Sequence, residues 1–399
     1  KVLFTSLIII STISLIYFTI SNWSLCKKKI AINFNKIKIL QIILVFLLVL
    51  IVFLENIISI SEYPLEGSDG LAYWFKKAKF FIYNPGLEYW PSKFYPNFIS
   101  SLWAITFYIE NENLNFSRII LPFILFINIF LVYNKFIIIY KNFIINTLLF
   151  LFILIFFSTS TFSGSLRYSN SGYVDFAVAT FFMTGFVYIF LSFINNNFNQ
   201  KDYIFGCFCL GLLSSIKNEG LVISFFLLLI LNFIFFINYY HLYKKNFKII
   251  IYSNILFFVI AILPLIFLKY LELVLKIEVE SATSVFFSYG NLIELENLKA
   301  RFPIITSHLI QTLIANQTIV MLFILIIFVN LFLSEIPKII YQFLFLVVAF
   351  SIFYIYAIYF ATKLPFEWHL GTSIDRIFFP FTGIISGLCF ILCNHLKKI

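Results

Sequence analysis

Long apolar runs alternate with short polar interruptions along the whole chain, and the length of the runs decides the architecture. About eleven runs approach the length a bilayer demands: 2–22, 39–61, 118–139, 143–161, 172–194, 203–217, 220–241, 249–271, 317–334, 338–361 and 377–394. A helix needs roughly 20 apolar residues to cross the hydrocarbon layer. The stretch 97–109 is shorter, and reads as a re-entrant or interfacial helix. Barrel strands alternate in pieces of about ten residues, so runs of this kind exclude a transmembrane barrel. The predicted fold is all-α, a polytopic transmembrane helical bundle forming a single domain over 1–399. Two long polar loops, 62–96 and 272–316, carry short helices, with Tyr73, Trp74, Lys77, Phe80 and Phe81 on helical spacing in the first.

The lysines orient the bundle. Lys27, Lys28, Lys29, Lys36 and Lys38 follow the first run, Lys135 and Lys141 sit between the third and fourth, and Lys201 precedes 203–217. Lys244, Lys245 and Lys248, then Lys338, then Lys397 and Lys398 continue the series. With 97–109 left uncrossed, every basic turn falls on one side, as cytoplasmic loops do. The expected location is the cell membrane, multi-pass, with the N-terminus outside and the C-terminus cytoplasmic. The loops 62–96 and 272–316 then face outward. The first run ends in Trp23 rather than a small-residue cleavage site, which favours a span over a signal peptide.

Composition agrees. Hydrophobic residues make up 62% and charged residues 12%, too apolar for a soluble domain to bury. The balance of 28 Lys+Arg against 18 Asp+Glu would suggest nucleic acid in a soluble chain. Here it is the basic face of a membrane protein, and no nucleic-acid partner is expected. Cys26, Cys207, Cys209, Cys389 and Cys393 lie in or beside apolar runs without metal or redox spacing. No cofactor is expected, and no metal: a divalent ion finds no dense His or carboxylate set.

Four polar clusters fall on the outer side. The first, Glu66-Gly67-Ser68-Asp69-Gly70, leads into Trp74 and Lys77-Ala78-Lys79. A carboxylate there can act as general base on an acceptor hydroxyl, or be an ordinary loop charge. The second is Gly172-Tyr173-Val174-Asp175, where Asp175 either serves a site or complements a helix N-terminus. The third, Lys217-Asn218-Glu219-Gly220, interrupts apolar chain. Ionisable residues at that depth suggest function, although Lys217 could simply pair with Glu219. The fourth runs from Glu367 through His369 to Asp375-Arg376, ahead of the last run. Arginine suits a bidentate contact to phosphate, or a pairing of Arg376 with Asp375.

In this order the clusters resemble the GT-C class of integral membrane glycosyltransferases, which includes protein O-mannosyltransferases and the aminoarabinose transferase of lipid A. The likeness rests on Asp69, Trp74 through Lys79, Tyr95-Pro96, Gly172 through Asp175, Lys217 through Gly220, and Glu367 through Arg376, over roughly 39–394. Phe94 stands where the pattern has an acidic residue. The resemblance implies transfer of a sugar from a polyprenyl-phosphate donor to a lipid, glycan or protein acceptor on the extracytoplasmic side, with inversion. It implies Asp69 as base, with Asp175 and Glu66 as further acids. Lys77, Lys79, Tyr95, Lys217, Asn218, Glu219, Glu367, His369, Asp375 and Arg376 would contact substrate, and Lys217 and Arg376 the lipid phosphate. The rival classes are a transporter or flippase for a lipid-linked or small polar substrate, a carbohydrate polymerase or ligase, and a structural membrane subunit. A transporter would place its charges within the bundle, near the midplane, whereas here they gather at the outer ends.

Overall fold

The computed structural model describes residues 54, 74–83, 96, 98–109, 119–140, 143–159, 161–162, 166–167, 174–193, 197–275, 287–288, 290–291, 294–315 and 338–395. These belong to the unit Ile51–Ile399. The expected spans 2–22 and 317–334, nearly all of 39–61, and the site residues Glu66, Asp69 and Tyr95 lie outside the described residues.

Helices dominate. In chain order they are α1 (Lys76–Tyr83), α2 (Phe98–Ile109), α3 (Ile120–Tyr140), α4 (Phe143–Thr159), α5 (Asp175–Ser192), α6 (Gln200–Ile216) and α7 (Asn218–Asn238). Then follow α8 (Tyr240–Lys245), α9 (Phe247–Leu275), α10 (Leu295–Ala315), α11 (Lys338–Ala361) and α12 (Phe366–His395). Thr161–Phe162 pairs antiparallel with Leu166–Arg167 in a two-residue ladder between α4 and α5. Among the described residues, six helices are long and apolar enough to cross a membrane: α3, α5, α7, α9, α11 and α12. α2 has 12 residues, about 18 Å of helix, against a hydrocarbon layer of roughly 30 Å.

α5 and α12 form the centre, and their apolar stretches are almost wholly enclosed, while α9 is largely exposed. α5 packs on α6, α12 and α3, and α6 packs on α9. Lipid offers no hydrophobic drive between helices, so close backbone contact and buried hydrogen bonds must hold them. Both are present. Gly383 of α12 lies so near α5 that a Cβ there would stand 1.8 Å from the Ala179 carbonyl oxygen. Thr184 donates to Asn128 Oδ1 at 2.8 Å, joining α5 to α3. Asn146 and Asn394 exchange amide hydrogen bonds of 3.0 and 2.6 Å between α4 and the end of α12.

Charge marks both ends of α6. Asp202, in the first turn of α6, pairs with Lys135 of α3, whose ammonium lies 5.6 Å from the Tyr188 ring centre. Lys217 stands at the far end of α6, 15 residues on, or about 23 Å along a helix. Apolar chain separates the two polar levels.

Two sequence-based boundaries shift. The polar segment before the expected span 377–394 is itself helical, because α12 starts at Phe366. A hydropathy pattern stops at Arg376, but helix formation needs only that polar side chains find partners, and the Pro365 carbonyl accepts from His369 N–H at 2.9 Å at the helix start. Within 272–316, α9 runs on to Leu275 and α10 is a 21-residue helix rather than a short one. Its polar side chains anchor it. Arg301 donates to the Tyr359 carbonyl at 2.8 Å and packs 4.8 Å from the Phe366 ring centre. Thr306 bonds Tyr356 at 2.6 Å.

Candidate functional site

Asp175 opens α5 and is fully buried. No side chain caps this helix start, so its carboxylate does not serve the local backbone as an N-cap would. It receives two cations instead. Lys217 Nζ donates to Oδ1 at 2.6 Å, and Arg376 Nε donates to Oδ2 at 3.4 Å.

The local chain geometry explains how Lys217 arrives there. It is the single residue between α6 and α7, with extended φ −150° and ψ 144°. Gly220 makes so sharp a break possible. Any Cβ on it would stand 2.4 Å from the Leu213 carbonyl oxygen, so the first turn of α7 can press against the last turn of α6 only without a side chain. Lys217 is 7% exposed, and a buried ammonium needs a counter-charge. Asp175 supplies it. Glu219 Oε1 adds a longer contact to Lys217 Nζ, at 3.5 Å.

Arg376 comes from the third turn of α12, and the crossing at Ala179 and Gly383 fixes its height. Arg376 precedes Gly383 by two turns and Asp175 precedes Ala179 by one, so each pair shares a helix face. The result joins α5, the α6–α7 junction and α12, from positions 201 residues apart in the widest pair.

The neighbouring polar residues serve other partners. Asp375 accepts from Thr312 of α10 at 2.9 Å, so the sequence-adjacent pairing of Arg376 with Asp375 gives way to Arg376 with Asp175. His369 Nδ1 bonds Thr362 Oγ1 at 2.8 Å. Ser373 bonds the Tyr359 hydroxyl at 2.9 Å. Asn218 is the half-buried first residue of α7. Glu367 is exposed, and the nine residues to Arg376 put it on the opposite helix face. Thr312, Tyr359 and Thr362 were not singled out in the sequence, because isolated hydroxyls in apolar or loop context carry no pattern.

Lys77 and Lys79 differ sharply. Lys79 is exposed and lies 5.4 Å from the Phe75 ring centre and 5.9 Å from that of Phe107. Lys77 is fully buried in α1, which packs on α2. Burial pushes its ammonium down to about 7, from the ordinary lysine value of about 10.4. Between those values the unfolded chain holds a proton that the folded chain lacks, so stability rises with pH across that window and the burial penalty is fully present below it. Lys77→Met is expected to flatten the gain in melting temperature between about pH 7 and pH 10 in detergent. An unchanged alkaline gain would assign the effect to another group.

Among the described residues, no group of three or more His, Cys, Asp or Glu could hold a metal ion. No protein-family model matches the chain, and no curated protein or solved structure matches it either.

Proposed function

We propose that the chain is a membrane glycosyltransferase of the GT-C kind. It transfers a sugar from a polyprenyl-phosphate donor to an acceptor on the extracytoplasmic side, with inversion and with Asp69 as general base. One observation carries this reading. Three of the motifs behind the resemblance, far apart in sequence, meet at a single carboxylate: Asp175 of Gly-Tyr-Val-Asp, Lys217 of Lys-Asn-Glu-Gly and Arg376 of Ile-Asp-Arg.

The chemistry of that junction suits a lipid-linked donor. The departing polyprenyl phosphate leaves as an anion, and fixed cations stabilise charge that develops in the transition state without reorganising. Asp175 holds Lys217 and Arg376 in place before any substrate arrives. Arg376 meets Asp175 through Nε, which orients the planar guanidinium for a phosphate in a way an ammonium cannot match. Asp69, on the loop after the second expected span, would approach from the aqueous side and take the proton of the acceptor hydroxyl.

The test uses the purified chain in vesicles with short-chain polyprenyl phosphates carrying a hexose, a pentose or an aminosugar. Wild-type protein is expected to consume at least one donor. Asp69→Asn is expected to lose on the order of 10²–10⁴ in rate while still binding that donor, because the amide keeps the shape and removes the base. Full activity in Asp69→Asn would move the base to another carboxylate, with Glu66 next in line. Failure to consume any donor would remove the glycosyltransferase reading.

A further inference from the structure

Glu219 has an oxygen that the rest of the cluster does not use. Its side chain as a whole is 35% exposed, with Oε1 3.5 Å from Lys217 Nζ, while Oε2 itself is shut off from solvent and has no hydrogen-bond partner among the described residues. Asp175 is the contrasting case, with each of its oxygens occupied by a cation. A buried carboxylate oxygen left without a donor costs free energy, and such groups are few in native structures. An ionised carboxylate only accepts, so the missing partner must bring a hydroxyl or an N–H.

The surroundings narrow the class. Glu219 is the second residue of α7, two positions beyond Lys217. Through Oε1 Glu219 touches Lys217, one of the two cations held on Asp175, which suit an anion, and through Oε2 it presents a further acceptor. A ligand that satisfies both carries a phosphate and a hydrogen-bond donor a few ångströms apart. A sugar joined to a phosphate has that arrangement, and a bare lipid phosphate does not.

We propose that Glu219 Oε2 accepts a hydrogen bond from a hydroxyl or amino group of the donor sugar, making Glu219 the residue that distinguishes a glycosylated lipid phosphate from the unglycosylated lipid. The proposal rests on the glycosyltransferase reading and assigns the sugar end of the same site. It gives Glu219 a direct contact with substrate, separate from its contact with Lys217.

Binding measurements on the purified full-length chain decide the matter, with two kinds of probe: short-chain polyprenyl phosphate, and the same lipid carrying a hexose, a pentose or an aminosugar. Wild type is expected to bind at least one glycosylated probe more tightly than the bare lipid. Glu219→Gln keeps the side-chain shape and is expected to weaken that probe by about tenfold, the scale of one lost charge-assisted bond, leaving the bare lipid within about twofold. Glu219→Asp retains a counter-charge for Lys217 but withdraws the acceptor by one methylene, and is expected to show the same selective loss. Equal weakening of both probes would mean that Glu219 acts only through Lys217, and would overturn the proposal. So would an unchanged preference in both variants, or a wild type that does not distinguish the probes. A wild type that binds no probe of either kind would instead remove the glycosyltransferase reading itself.

Discussion

Asp175→Ala is expected to lower the stability of the bundle by about 3–5 kcal/mol, the range for removing one partner of a buried ion pair. The substitution leaves the Lys217 ammonium at 7% exposure with only the longer Glu219 contact, and deprives Arg376 of its partner on α5. The cost comes mainly from the stranded charge, so a second substitution should return part of it. Asp175→Ala combined with Lys217→Met is expected to be more stable than Asp175→Ala alone, because an apolar side chain tolerates the burial that an unpaired ammonium does not. Unfolding in mixed micelles measures both variants. A loss below about 1 kcal/mol in Asp175→Ala, the scale of exposed pairs, would show that water already reaches the two cations.

The second large effect is expected at Gly383. Its added Cβ would stand 1.8 Å from a backbone oxygen, that of Ala179. A flexible side chain could rotate away, but a helix carbonyl cannot, so α5 and α12 must separate. Overpacking a tight core costs typically 1–3 kcal/mol, and Gly383→Ala is expected at or above the upper end, about 3 kcal/mol. Gly371 lies in the same helix with nothing within 4 Å of an added Cβ. Gly371→Ala is expected to be neutral or to stabilise by up to about 1 kcal/mol, through helix propensity alone. Because Gly383 and Arg376 share a face of α12, the wedge also pulls Arg376 from Asp175. Gly383→Ala and Arg376→Ala are therefore expected to be less than additive. Full additivity would uncouple the crossing from the ion cluster.

These two residues show what the sequence could and could not reveal. Asp175, Lys217 and Arg376 stand out because each interrupts or borders an apolar run, and ionisable groups at such positions are costly. Their mutual contact is a different matter. Lys217 has Glu219 two positions away and Arg376 has Asp375 beside it, so local pairing looked sufficient. The crossing that brings Asp175 to both depends on Gly383 meeting Ala179, and a glycine in an apolar run has no periodicity to announce its partner. The start of α12 was hidden for a related reason. Its first turns are polar, and what satisfies them, Thr312 on α10, Thr362 and Tyr359 beyond α11's last turn and within it, and Asp175 on α5, lies elsewhere in the chain. Among the described residues, six of the expected spans, 118–139, 172–194, 220–241, 249–271, 338–361 and 377–394, were legible from length and hydropathy alone, whereas 143–161 and 203–217 form the 17-residue helices α4 and α6.

The order of the three charged residues along the chain bears on how the protein is made. Asp175 and Lys217 are 42 residues apart, on either side of the α5–α6 hairpin, so a ribosome delivers them almost together. Opposite charges that emerge as a pair can enter the bilayer as a near-neutral unit, each lowering the other's cost of leaving water. Arg376 follows 201 residues after Asp175, and at synthesis rates of roughly 5–20 residues per second it arrives on the order of ten seconds or more later. A pair formed between Asp175 and Lys217 before then would leave one carboxylate oxygen for Arg376. A last helix arriving in that order would meet a specific polar address on α5, which an all-apolar surface would lack.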